Sequence, residues 1–171
     1  DLLLLARLEA TDYPADSKPV AVDLLLLSIR GDAQALSAER HRISLEADAA
    51  VRLKGSESEL HSAFSNLVFN AVKYSPEGGE IRIRWWADAA GAHLAVQDSG
   101  LGIEARHIPR LTERFYRVDA SRSANTGGTG LGLAIVKHVL IHHRGQLQID
   151  STPGKGSTFT CHFPPAQVVR R

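Results

Sequence analysis

Asn66-Leu67-Val68-Phe69-Asn70-Ala71-Val72-Lys73-Tyr74 is the stretch on which the fold turns. At 3.6 residues per turn, Asn66, Asn70, Lys73 and Tyr74 fall within an arc of about 100°. Leu60, Phe64, Leu67, Val68 and Ala71 take another side. The pattern predicts a helix with one face buried and one carrying chemistry. It starts near Ser56 or Ser58, residue types that cap helices, and is stopped by Pro76, Gly78 and Gly79. Asn carbonyl oxygens suit Mg²⁺, a hard cation that keeps waters beside nucleotide phosphates. Lys73 on the same face can neutralise those phosphates.

Around this helix the chain alternates apolar and polar residues as half-buried strands do. Ile43-Ser44-Leu45-Glu46 and Val51-Arg52-Leu53 read as strands, and Ile81, Ile83 and Trp85 with Leu94 and Val96 read as one hairpin. Leu147 and Ile149, then Phe159, Cys161 and Phe163, repeat the alternation after a helix from about 131 to 143. Pro19 to Asp23 reads as a short strand, and Leu24 to about Arg40 as a helix weakened at Gly31. Three main helices on one mixed sheet make an α/β two-layer sandwich.

Two glycine-rich segments lie at strand and helix ends. In Asp98-Ser99-Gly100-Leu101-Gly102, a carboxylate ends an apolar strand and glycines let the backbone approach a flat ligand. The alternative is a plain strand-to-loop turn with Asp98 as its cap. In Gly127-Gly128-Thr129-Gly130-Leu131-Gly132-Leu133, successive N–H groups before a helix suit phosphate oxygens. Neither the Rossmann spacing nor a Gly-Lys-Ser/Thr sequence accompanies them, which disfavours dinucleotide and Walker-type binding. The polar run from Tyr116 to Thr129 reads as a lid over nucleotide or as an ordinary surface loop.

These segments, in this order, resemble the N, G1, F, G2 and G3 boxes of the catalytic ATP-binding domain of sensor histidine kinases. The resemblance covers residues 18–164. Arg110-Leu111-Thr112-Glu113-Arg114-Phe115-Tyr116-Arg117-Val118-Asp119 and the run Thr126 to His138 are most similar to sensor kinases of the phosphate regulon. The resemblance implies a Bergerat-type fold that binds Mg·ATP. It implies Asn70, with Asn66, as metal ligands, and Asn66, Lys73 and Arg117 as the residues of phosphoryl transfer. Asp98 would read adenine beside Tyr74, Gly100, Gly102, Ile103, Phe115 and Thr158. Gly128, Gly130, Leu131, Gly132 and Leu133 would line the phosphate side.

It also implies domain limits: residues 1–12 as the end of a dimerisation helix, 13–19 as linker, 20–165 as the catalytic domain and 166–171 as a tail. A helix folded back on its own domain is the other reading of the apolar start Asp1-Leu2-Leu3-Leu4-Leu5. None of the eight histidines is followed by an acidic residue, so the phosphoacceptor motif of these kinases is absent from this sequence. The accepting histidine is expected on a dimerisation domain outside it, with a response regulator as the next partner.

Bulk properties set limits. With 43% apolar residues the chain can bury one core. Its net charge of +1 gives no field that favours nucleic acid or an acidic membrane surface. Cys161 is the single cysteine, which excludes an internal disulfide and favours a reducing compartment. The absence of Met points to a piece of a longer protein, the cytoplasmic part of an inner-membrane sensor by resemblance. His138 and His142 have the i, i+4 spacing of a metal pair, but no third ligand is evident.

Overall fold

The computed structural model describes residues 2–10, 18–118 and 130–170. Five strands form the main sheet: β2 (His41–Ala47), β4 (Gly79–Asp88), β5 (Gly91–Asp98), β6 (Gln146–Thr152) and β7 (Gly156–Phe163). Their order is β2-β4-β5-β7-β6, with β2 parallel to β4 and every other pair antiparallel. The sheet is therefore mixed. Helices α2 (Val22–Ser37), α3 (Glu57–Lys73) and α4 (Gly132–His142) pack on one of its faces.

Strand alternation places the core. Ile81, Ile83 and Trp85 of β4, Leu94 and Val96 of β5, and Phe159, Cys161 and Phe163 of β7 are buried beneath Phe64, Leu67 and Val68 of α3. Phe163 meets both Phe64 and Trp85 edge-on, with centroids 6.3 Å apart in each case. Full burial pushes the Cys161 thiol up to about 12, so it stays protonated and inert. Arg82, Arg84, Gln97 and Thr158 belong to the opposite, solvent-facing side.

Three sequence expectations change. The sheet is not the only one: β3 (Val51–Gly55) leaves it and pairs antiparallel with β1 (Lys18–Val20) and β8 (Val168–Arg170). The Asp48 carboxylate accepts from Ala50 N–H at 2.9 Å and turns the chain there, and Trp85 Nε1 donates to Val51 O at 3.1 Å across the two sheets. Residues 168–170, expected in a tail, supply a strand. The strand expected over 19–23 is shorter, because Val22 already begins α2.

At the other end, α1 (Leu2–Ala10) lies against α4 with Leu5 and Leu8 buried. Glu9 pairs with Arg114 and, at 3.6 Å, with His138. Of the linker read over 13–19, Lys18 and Pro19 belong to β1, and residues 11–17 lie outside the described residues.

Candidate ATP site

The site is built around α3. Ser56 caps the helix by accepting from Glu59 N–H at 3.3 Å, and Glu57 and Glu59 place negative charge in its first turn. The helix stops at Tyr74, before Pro76, so its last turns open toward the C-terminal end of β5. Asn66, Asn70, Lys73 and Tyr74 are all half-buried, as their common arc requires.

The two asparagines differ. Asn66 Nδ2 donates to Ser62 O at 2.8 Å, and its Oδ1 faces the start of α4, where a Cβ on Gly132 would come within 2.6 Å of it. The absent side chain at Gly132 is what lets α3 and α4 approach. Asn70 uses only its backbone carbonyl, which accepts from Tyr74 N–H at 2.8 Å. Its side-chain amide has no partner among the described residues, so an oxygen ligand remains available there. Lys73 lies one turn further on.

Asp98, at the end of β5, is buried with 4% exposure. Its Oδ1 accepts from Gly100 N–H at 2.9 Å. Burial raises its carboxyl above the usual range, opposed by backbone hydrogen bonds from Gly100 and Ser157. Tyr74 lies alongside, its phenol pushed upward first by burial and then by the Asp98 charge, so it remains neutral. Gly100 has little freedom to be anything else: a Cβ would meet Tyr74 O at 2.2 Å. Leu101 N–H donates to that same Tyr74 O at 3.0 Å. Gly102 has φ +72°, and a Cβ there would meet Thr152 O at 2.1 Å.

Beneath this loop, Ile103 N–H donates to Ser151 Oγ at 2.7 Å, and Ser151 Oγ lies 2.7 Å from Ser157 Oγ. Ser157 pairs with Asp98 in register and is buried, whereas Thr158 pairs with Gln97 on the opposite face of the sheet. Ser157, not Thr158, therefore shares the Asp98 face of the sheet. The alternation back from Phe159 and Cys161 carried that signal, since side chains two apart share a face.

The glycine-rich segment read as a phosphate site leads into the start of α4. Leu131 offers no side-chain cap, and Leu131 O first receives a helical bond from Ile135 N–H, so the amides of Gly132, Leu133 and Ala134 are the helix's open donors. Leu131 and Leu133 are buried, and they hold the turn rather than face solvent. Phe115 N–H donates to Gly130 O at 2.8 Å, and Phe115 has φ +62° with 59% exposure. Tyr116 is braced by the His107 ring and by Arg110, whose guanidinium sits 4.4 Å from the ring centroid. Arg117 follows, exposed. Gly127, Gly128, Thr129 and most of the lid read from Tyr116 onward lie outside the described residues.

Histidines serve the framework. His142 Nδ1 lies 3.0 Å from Glu59 Oε1 and its Nε2 2.9 Å from Leu8 O, which leaves no nitrogen of this ring for a metal. His143 donates from Nδ1 to Val139 O at 2.7 Å and accepts at Nε2 from Ser56 N–H at 3.1 Å. Among the described residues no group of three His, Cys, Asp or Glu could hold a metal. The donors present fit Mg²⁺ held by an amide oxygen and by phosphates, rather than a protein cage.

Comparison with known proteins gives the fold its place. Residues 55–167 match the model of the histidine kinase-, DNA gyrase B- and HSP90-like ATPase family. The chain belongs to that family. It is 78% identical over 170 residues to the phosphate regulon sensor protein PhoR of Pseudomonas aeruginosa, covering 99% of this chain and 38% of that protein. The chain thus spans well under half the length of this relative. Among solved structures it is similar to the mycobacterial sensor histidine kinase MprB, with TM-score 0.77 and 29% identity over 86% of this chain and 97% of that one. It is also similar to full-length ShkA solved in complex with AMPPNP, with TM-score 0.83 and 25% identity over 99% of this chain and 35% of that one.

Proposed function

We propose that this domain binds Mg·ATP and delivers the γ-phosphoryl group to a histidine on a separate dimerisation domain of the same protein. That protein would be an inner-membrane sensor with this domain in the cytoplasm, and a response regulator in phosphate sensing would take the phosphoryl group onward. The observation that carries the reading is a helix, α3, that bears the idle Asn70 amide and whose last turn is bonded, Leu101 N–H to Tyr74 O, to the glycine loop after the buried Asp98 carboxylate. The relative's name supports the sensory role.

ATP would supply the phosphoryl group, and Mg²⁺ would offset charge on its phosphates. Asp98 would accept a hydrogen from the adenine amine, with neutral Tyr74 as a wall. Asn70 would present Oδ1 to the metal, and Asn66, fixed between Ser62 O and Gly132, would hold the phosphate-side helix in place. The open amides of α4 with Lys73 and Arg117 would face the phosphates. As the acceptor nitrogen bonds to phosphorus, the bond to the β-phosphate oxygen breaks, ADP departs, and the imidazole proton goes to a base on the acceptor domain. Such transfer depends on positioning and charge more than on covalent help.

Asn66 also argues against hydrolysis as the main activity. Its amide is no base, and it occupies the helix position where ATP-hydrolysing members of the broader fold place a glutamate that activates water. A domain that only senses nucleotide is the remaining rival. Both are tested by incubating the chain with labelled Mg·ATP and the upstream helical domain added as a separate piece. Acid-labile, base-stable label should appear on the added piece, slowly, because tethering is lost. Rapid ATP turnover without acceptor, or label on one of this chain's own histidines, would contradict the assignment. Binding without any label would favour the sensing domain.

A further inference from the structure

One buried hydroxyl next to the Asp98 loop is idle. Ser75 is 1% exposed, and its Oγ has no hydrogen-bond partner among the described residues. Burying an unpaired hydroxyl is costly, so native structures rarely keep one without a use. The rest of Ser75 is fully engaged. Its N–H donates to Val72 O at 3.3 Å, and its carbonyl accepts from Gly78 N–H at 3.0 Å and from the His41 ring at 2.6 Å.

His41 lies far from the glycine boxes, at the start of β2. Its Nε2 faces a carbonyl and therefore carries the proton, which leaves Nδ1 to accept from Ser37 Oγ at 3.0 Å. A buried Ser37–His41 pair thus fixes the backbone of Ser75 while its side chain stays unbonded.

The hydroxyl has a definite location. A Cβ on Gly100 would lie 2.5 Å from Ser75 Oγ, and Gly100 N–H is the donor to Asp98 Oδ1. Ser75 Oγ and the Asp98 carboxylate thus both border Gly100. The carboxylate is an acceptor and the hydroxyl a donor. Adenine offers the complement along either edge: the exocyclic amine donates, and the ring nitrogen next to it, N1 on one side and N7 on the other, accepts.

Resting on the reading of this cleft as an ATP site, we infer that Ser75 is a base-recognition residue whose Oγ–H donates to an adenine ring nitrogen beside the amine held by Asp98, with His41 as the positioning residue behind it. Guanine reverses the pattern at this edge, presenting O6 to the Asp98 carboxylate.

The test compares Ser75→Ala with the unaltered chain by titrating ATP, 1-deaza-ATP and 7-deaza-ATP in the presence of magnesium, alongside the melting temperature without nucleotide. Ser75→Ala should weaken ATP roughly three- to tenfold. It should leave unchanged the affinity of the one deaza analogue that lacks the contacted nitrogen, N1 or N7. The same substitution should raise the melting temperature of the nucleotide-free protein, because it removes an unpaired buried group. Equal loss for all three nucleotides, or no loss for any, overturns the inference while ATP binding itself stands. If the unaltered chain binds none of them, the ATP-site reading falls first and this inference falls with it.

Discussion

The two ends of α3 treat polar groups in opposite ways. At its start, Ser56 Oγ caps Glu59 N–H, Ser56 N–H donates to His143, and the Glu59 carboxylate meets His142. The side chains there are spent on one another. At its finish, the Asn70 amide and Ser75 Oγ have no partners among the described residues, and the neighbouring Asp98 carboxyl is held above its usual range by burial. The start is a joint that ties three helices together through internal bonds. The finish keeps unspent donors and acceptors that the fold alone would not favour, and that is where a ligand's bonding groups are expected.

The largest effect should come from the finish. Asn70→Ala should abolish phosphoryl transfer and weaken the magnesium dependence of ATP binding, while the melting temperature stays near that of the unaltered chain, because the lost amide bonds nothing in the fold. Normal transfer by Asn70→Ala would remove it from the metal site and blur the contrast.

A smaller, opposite signature belongs to the start. Burial lowers the affinity of His143 for its proton. Its neutral form accepts from Ser56 N–H, so the stability it contributes is present above the ordinary histidine range and is lost as pH falls through its depressed value. His143→Leu leaves Ser56 N–H unpaired and should cost about 1–3 kcal/mol at neutral pH, with a shallower loss of stability on acidification. ATP affinity should be unaltered. A variant that melts normally but binds ATP poorly would reverse the roles of the two ends.

Much of this contrast is written in the order of the residues. The α3 helix is legible because Leu60, Phe64, Leu67 and Ala71 recur at helical spacing with a serine before them and Pro76 after. Asp98 is legible because it ends an apolar strand and is followed by Gly100 and Gly102. The second sheet is not, since nothing local in Val168–Arg170 says that it pairs with Val51–Leu53. His41 and Ser75 are hidden for the same reason: their contact joins β2 to the turn after α3, and only tertiary packing brings them together. Ser157 is legible in part, since register by twos from Phe163 places it, and not Thr158, on the buried face.

The smallest expected effect distinguishes these two neighbours. Thr158→Val should change ATP affinity by less than about twofold and stability by about 0.5 kcal/mol or less, as for surface positions generally. Ser157→Val should lose affinity, because it disturbs the Ser151 hydroxyl pair and the wall beside Asp98. Equal effects at both positions would restore Thr158 to the site.

Asp98 tests most directly whether the unspent end of α3 and its surroundings exist for ATP. A carboxyl whose value is raised by folding favours the folded state at low pH and loses that contribution as pH rises through the raised value. Asp98→Asn, neutral at every pH, should therefore melt higher than the unaltered chain at pH 7 without nucleotide, and the gap should close on acidification. The same variant should bind Mg·ATP about tenfold to 150-fold more weakly, the cost of a charge-assisted hydrogen bond. Both measurements on one preparation decide the matter: a more stable protein that binds ATP poorly is the predicted result, and a less stable one with undiminished ATP affinity contradicts the account.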